Sequence, residues 1–174
     1  MMRQVRYSIA ASLDGFIADP NGGYDWMIMD PAIDFAAVFR QFDTVLMGRK
    51  TFELTTTGDF MGMLGDKEVI VFSRTLKSVP FPNATIISTS PAETVRALKQ
   101  KSGKDIWLFG GGDLFRQLVD AALVDTIEVG VMPVLLSQGI PMLPAGKQVR
   151  GLTLTSSETL SSGILMLTYL IPHD

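Results

Sequence analysis

The stretch Trp107-Leu108-Phe109-Gly110-Gly111-Gly112-Asp113-Leu114 reads as an apolar strand that runs straight into three glycines and then into a helix. A helix start presents unpaired backbone N–H groups and the positive end of the helix dipole, and glycine lets a phosphate approach the main chain. A purely steric turn satisfies the same pattern. The third glycine of the full dinucleotide fingerprint is missing, so a standard Rossmann unit is not supported. A second strand, glycine and helix start follows Val45-Leu46-Met47, where Gly48 precedes Arg49, Lys50 and Thr51. Two cations and a hydroxyl suit phosphate oxygens, and cations at a helix start oppose the dipole unless an anion arrives. The third cluster, Ser73-Arg74 after Val69-Ile70-Val71-Phe72, puts a hydroxyl and a guanidinium past the C-terminal end of a strand, where ligands of open α/β sheets collect. A ribose phosphate suits that pair and favours NADP over NAD.

The elements that must hold these residues follow from periodicity. Val5–Ala11 reads as a buried strand, followed by turns at Asp14-Gly15 and Asn21-Gly22-Gly23. Asp30-Pro31 supplies an N-cap and a first-turn proline for a helix to about Gln41. Thr44–Met47 is a short strand, Thr51 opens a helix, and Thr55–Gly65 reads as loop. Glu68–Phe72 and Ala84–Ser88 are strands, and Ser90-Pro91-Ala92-Glu93 predicts a capping box for a helix to about Gln100. Ile106–Phe109 is a strand and Leu114–Ala121 a helix. Thr126–Met132 is a strand, Pro133–Pro144 a loop, and Leu152–Thr159 with Ile164–Ile171 a closing hairpin. Strands alternating with helices predict one α/β domain over residues 1–174, with a mixed, mostly parallel central sheet flanked by helices and an antiparallel C-terminal hairpin.

Composition narrows the function. A length of 174 residues with 47% hydrophobic content suits one well-filled core. Fifteen Lys and Arg against 18 Asp and Glu give a net charge of -3, which offers no field for nucleic acid. The absence of cysteine removes disulfides, thiolate nucleophiles and zinc–cysteine sites, and a cytoplasmic home fits best. The most apolar segment, Ile164–Ile171, is far short of the roughly twenty residues of a membrane span. The one histidine, His173, sits in the tail, where fraying rather than catalysis is expected. No metal site is expected.

Taken in order, these residues resemble the dihydrofolate reductase superfold, and most closely the bacterial branch that holds the reductase domain of riboflavin biosynthesis. Tyr7 to Ala18 is similar to the first strand and active-site loop, and Gly48-Arg49-Lys50-Thr51-Phe52-Glu53 to the phosphate-binding helix start. Phe72-Ser73-Arg74 resembles the 2′-phosphate and adenine contact, Gly110-Gly111-Gly112 the pyrophosphate turn with a cis Gly110–Gly111 peptide, and Met132 to Leu143 a loop of the riboflavin-type branch. The resemblance implies hydride transfer from NADPH to a small heterocycle, a pterin or a ribosylamino-pyrimidine, with the nicotinamide near Ala11 and Ile17 and the diphosphate extending to Asp113 and Leu114. It implies Asp14 or Asp34 as the catalytic carboxylate and leaves Trp26 to stack on the substrate. An ordinary Asp-Gly turn, helix capping by Asp30 and Asp34, and a core-edge tryptophan are the alternatives. A homodimer is expected from the apolar Val124–Leu136 stretch and the final hairpin. A nucleotide-binding module without turnover, or a general phosphate-binding protein, competes with the reductase. All of this requires the turns at Gly48 and Gly110–Gly112 to meet in one groove.

Overall fold

The structure, a computed structural model, describes residues 2–57 and 60–173. Eight strands form one sheet in the order β5-β4-β3-β6-β1-β7-β10-β9. These are β1 (Val5–Ser12), β3 (Phe42–Gly48), β4 (Glu68–Phe72), β5 (Ala84–Ile87), β6 (Asp105–Gly110), β7 (Thr126–Met132), β9 (Thr153–Thr159) and β10 (Leu165–Leu170). A separate antiparallel ribbon pairs β2 (Phe16–Ala18) with β8 (Ile140–Pro141). The first six strands of the sheet pair in parallel, whereas β10 is antiparallel to both β7 and β9. The sheet is therefore mixed and mostly parallel, as the alternation of elements predicts.

Successive residues of a strand face opposite ways, and the core divides accordingly. Ile106 and Leu108 of β6, Leu46 of β3 and Ile70 of β4 pack with Val95 and Leu98 of α4 (Pro91–Lys99) and with Leu114, Phe115 and Leu118 of α5 (Gly112–Asp120). The alternate residues Trp107, Val45, Met47, Val69 and Val71 pack on the other face with Phe52 of α2 (Arg49–Thr55) and Met61 and Leu64 of α3 (Phe60–Leu64). Tyr7 stacks on Phe115 with ring centroids 3.9 Å apart, and its hydroxyl donates to Met142 O at 3.1 Å. Burial pushes its phenol pKa far up.

Strand order explains where a ligand can sit. From β3 the chain steps outward to β4 and β5, then returns to place β6 between β3 and β1 before adding β7. That reversal opens a crevice at the C-terminal ends of β3 and β6. The β3–β6 register also slips: Leu46 pairs with Leu108 but Met47 with Gly110, so Phe109 is an extra, unopposed residue.

Several expectations are corrected. The first helix, α1 (Phe35–Phe39), begins well after Pro31 and is capped by Asp34, whose Oδ1 accepts from Ala37 N at 2.9 Å. Asp30 is instead buried in the loop, accepting from Ala32 N at 2.8 Å and from Ser162 N at 3.3 Å in the β9–β10 turn. Local satisfaction of that carboxylate ends a turn rather than starting a helix. α3 lies inside the stretch read as loop, held by Met61 and Leu64 in the core despite its glycine; Gly58 and Asp59 of that stretch lie outside the described residues. Ser90 is the N-cap of α4, but its side chain makes no capping hydrogen bond, so the capping box is not formed. Two residues of the Pro133–Pro144 loop, Ile140 and Pro141, pair with β2. His173 is not left loose: its Nε2 lies 2.9 Å from Asp125 Oδ1, in a cluster with Lys99. The Val124–Leu136 apolarity belongs mainly to core packing, since Val124, Ile127, Val129 and Met132 are buried.

Candidate functional site

Two helices begin side by side at the crevice. Gly48 is the N-cap of α2 and Gly111 that of α5, and neither helix start has a side-chain cap. A methyl group added to Gly48 would lie 3.7 Å from Gly111 N and 3.8 Å from Gly110 O. One added to Gly111 would lie 3.3 Å from Thr51 Oγ1. The two turns therefore meet, and the Gly110–Gly111 peptide is cis with Gly110 at φ +138. Helix starts without side-chain caps leave their first N–H groups free for an outside acceptor.

Gly112 is glycine for a different reason. A methyl group there would come within 2.7 Å of Pro141 O and 3.0 Å of Pro144 Cδ. Close packing of the Ile140–Pro144 segment on the start of α5 requires the missing side chain, not the approach of a ligand.

The crevice widens into a cleft of about 1680 Å³, larger than the roughly 300–1,000 Å³ usual for one small ligand. Its walls include Gly48, Arg49, Lys50, Thr51, Gly111, Gly112, Asp113 and Leu114 at the two helix starts, and Ser73 and Arg74 beyond β4. Ser88, Thr89 and Ser90 join them after β5, a polar edge that local motifs did not single out. Arg49 has a carboxylate partner of its own in Glu53, at 2.9 and 3.0 Å, so its position at a helix start is balanced within the helix. No hydrogen bond engages the side chain of Lys50 or Arg74 among the described residues. Ser73 is buried, and its Oγ accepts from Leu76 N at 2.9 Å and Thr75 N at 3.2 Å, which shapes the turn while its O–H remains a donor.

The other half of the cleft is walled by Ile9 and Ala10 of β1, Ile17, the Met27-Ile28-Met29 loop, and aromatic side chains of α1, α3 and β6. Phe60 stacks on Phe109 at 4.6 Å, and Trp107 meets Phe109 edge-on at 5.1 Å. Trp107 Nε1 donates to Ser8 O at 2.9 Å, so the indole is fixed.

Five expected site residues are not part of the wall, and one of them, Gly110, is buried next to Gly111. Ala11 is buried and leaves the wall to Ile9 and Ala10. Trp26 is half-buried outside the wall, donating to Gly23 O at 3.3 Å. Asp34 is an exposed helix cap facing Arg40 at 4.0 Å. Both oxygens of Asp14 are engaged: Oδ1 accepts from Ser12 Oγ at 2.7 Å and Leu136 N at 3.1 Å, and Oδ2 from Ser137 N at 2.7 Å. The Ser12 hydroxyl, with those amides, holds the Asp14 carboxyl below the ordinary carboxylate range. Such a group pins the 134–137 loop and is a poor proton donor. Sequence motifs missed Asp25, Phe60, Met63 and Phe109 of the wall because they come from separate elements; the non-periodic Met27-Ile28-Met29 run in a loop was the available signal.

Among the described residues no group of three His, Asp or Glu side chains is placed to hold a metal, and no helix is long and apolar enough to cross a membrane.

Residues 3–166 match the model of the RibD C-terminal domain family. The uncharacterized protein YyaP of Bacillus subtilis (strain 168) is 35% identical over 178 residues, covering 96% of this chain and 94% of that one. A putative riboflavin biosynthesis protein from Shewanella sp. PV-4 superposes with a TM-score of 0.83 at 25% identity, over 99% of this chain and 100% of that chain. A diaminohydroxyphosphoribosylaminopyrimidine deaminase/5-amino-6-(5-phosphoribosylamino)uracil reductase from Thermotoga maritima superposes with a TM-score of 0.75 at 16% identity, over 98% of this chain and 57% of that one. That last likeness is one of fold.

Proposed function

The chain belongs to the RibD C-terminal domain family, and from that premise we propose that it is an NADPH-dependent reductase of a small, unsaturated heterocyclic or conjugated substrate. The observation that carries the reading is the pair of uncapped helix starts, α2 and α5, whose glycine turns are so close that a methyl group added to Gly48 would lie within 4 Å of Gly110 and Gly111, on the wall of one large cleft. Two dipoles and two sets of free amides aimed at one point suit a diphosphate. A cradle made of Gly48, Gly110 and Gly111 leaves open the space that a side chain would fill, so the residues present fit the group.

In this reading the amides of α2 and α5 and the Thr51 hydroxyl hold the diphosphate, with Gly112, Asp113 and Leu114 forming the helix start behind them. Ser73 and Arg74, supported by Lys50, take the phosphate on the adenosine ribose, while Ser88 to Ser90 border the adenine. The nicotinamide then lies along Ile9, Ala10 and Ile17. Bound there, the cofactor supplies a hydride, and the protein supplies orientation and a dry surface. Asp14 serves as a positioning residue, holding the loop at Leu136 and Ser137 against the β1–β2 turn. The chain is further proposed to pair as a homodimer through the β9–β10 hairpin, since β9 is exposed at every residue and a sheet edge invites pairing. Sedimentation analysis tests that assembly.

The cofactor reading is tested by titrating NADPH and NADH against intrinsic fluorescence. NADPH is expected to bind at least about tenfold more tightly, roughly 1.4 kcal/mol. A smaller preference removes the role given to Ser73 and Arg74. One observation favours the second reading, a binding module without turnover: the carboxylate expected to donate a proton is held ionised. Binding of NADPH without oxidation in the presence of any acceptor would select it.

A further inference from the structure

Charge is distributed unevenly along the cleft. Its three cationic side chains, Arg49, Lys50 and Arg74, all follow the C-terminal ends of β3 and β4, in the half assigned to the cofactor. From the 24–39 loop and helix, α3 and β6 the other half draws no Lys, Arg or His, and its one carboxylate is Asp25 on the exposed loop; Lys50 stands one helical turn before Leu54 at its border. The rim there is apolar and wet: Tyr24, Ile28, Met29, Leu54 and Met63 are 54%, 37%, 71%, 39% and 52% exposed. Apolar side chains left in water on the wall of a cleft that also holds aromatic rings mark a site for an apolar ligand. Its floor is the Phe60–Phe109 stack against Trp107.

Resting on the cofactor reading above, we infer that the second ligand is an uncharged, planar, electron-poor conjugated compound of the quinone type, not a phosphorylated ribosylamino-pyrimidine. A phosphate monoester carries about 1.5 to 2 negative charges at neutral pH. The 24–39 segment, α3 and β6 would offer it Asp25 and no cation, and its desolvation against them would go uncompensated. Planar rings, in contrast, stack on Phe109 and Phe60. The chemistry of the acceptor follows from where the acids are. Asp14 is engaged outside the wall, Asp34 caps an exposed helix, Asp25 stands on the exposed loop, and the aromatic floor of Phe60, Trp107 and Phe109 brings no acid of its own to charge that develops on the acceptor. An acceptor that delocalises that charge needs none. A quinone takes up one hydride from the dihydronicotinamide and becomes a hydroquinone anion; one proton from water then completes the hydroquinone, leaving NADP+.

The test is equilibrium binding read by quenching of tryptophan fluorescence, because Trp107 lines this half. The probes are 2-methyl-1,4-naphthoquinone and 5-amino-6-(5-phosphoribosylamino)uracil, each with and without saturating NADP+. The quinone is expected to quench saturably, with a Kd at least about tenfold below that of the phosphoribosyl compound. Met29→Arg, at an exposed rim position that leaves folding intact by circular dichroism, is expected to shrink that ratio at least about threefold. Tighter or equal binding of the phosphoribosyl compound, quenching by the quinone that never saturates, or a ratio unmoved by Met29→Arg overturns the inference. NADPH is titrated separately without acceptor. Its failure to bind removes the cofactor reading alone, since the comparison of the two acceptors without nucleotide stands by itself.

Discussion

The two halves of the cleft are built by different means. One is made of backbone: glycine turns, free amides and two helix dipoles at the ends of β3 and β6, with a few cations around them. The other is made of side chains, an apolar wall gathered from the 24–39 segment, α3, and Trp107 and Phe109 of β6. A backbone cradle recognises a chemical group shared by many molecules, a diphosphate in the function proposed, and tolerates little change in its own geometry. A side-chain wall recognises shape and polarity, and can change its ligand by point substitution without disturbing the cradle.

Phe109→Ala tests that separation most severely. Loss of the stacks with Phe60 and Trp107 is expected to cost toward the lower end of about 3–5 kcal/mol in urea unfolding, since the ring is only partly buried. NADPH affinity of the folded protein is expected to hold within about twofold, or about 0.4 kcal/mol. A tenfold loss would mean that the two halves are one unit.

Gly112→Ala probes the cradle from behind. The added methyl must displace Pro141 or Pro144, which is expected to destabilise by about 1–3 kcal/mol. NADPH affinity should fall with it, while quinone quenching persists in the folded fraction. Thermal denaturation with and without each ligand separates these effects.

Arg74→Ala sharpens the comparison within the cradle. It is expected to weaken NADPH by about tenfold, or 1.4 kcal/mol, and to leave NADH unchanged. An equal loss for both nucleotides would make the guanidinium a contact to something other than the ribose phosphate.

The smallest effect belongs to Asp14. Its folded pKa lies below the ordinary value of 3.8, so its stabilisation of the loop is fully present above that value. It disappears as pH falls through the lowered folded pKa. The protection of the Leu136 and Ser137 amides, taken relative to their intrinsic exchange rates, is expected to be high near about pH 5 and to fall toward about pH 2. In Asp14→Asn the exchange should show no such step. A wild-type profile without a step would mean that other contacts hold the loop.

The difference between the halves also decides how much of the molecule was legible in its sequence. β4 and β7 match their apolar runs residue for residue, and most other strands lie within two residues of the reading, because buried parallel strands are short, continuous and bounded by turns. The cradle was legible for the same reason: a strand, a glycine and a helix start are adjacent in the chain, so Gly48 and Gly110–Gly112 could be picked out one by one, and their meeting followed from the resemblance. The apolar wall was not legible, since Phe60, Phe109 and Met29 become neighbours only through the sheet order. Nor were the local competitions. Asp30 looked like a helix cap because the rule for caps is local, but the amide that draws it away belongs to Ser162. The Ser162 side chain first, and then the Ala32 and Ser162 amides, keep the Asp30 carboxyl below its usual range. Asp14 read as catalytic because its loop matched a family pattern, while the two backbone amides that engage it lie more than 120 residues away.

The unopposed Phe109 ties these two constructions together after all. A strand advances about 3.3 Å per residue, and with Met47 opposite Gly110 rather than Phe109, β6 is drawn back by one such step just before it turns. That retraction sets the height at which Gly111 arrives beside Gly48, and the same inserted residue furnishes the ring in the opposite wall. Straightening the strand, so that Phe109 rather than Gly110 lay opposite Met47, would lengthen the reach of β6 by a residue and carry the glycine turn past its neighbour. Exchange of side chains at position 109 is therefore a matter for the acceptor alone, but the register there governs both ligands.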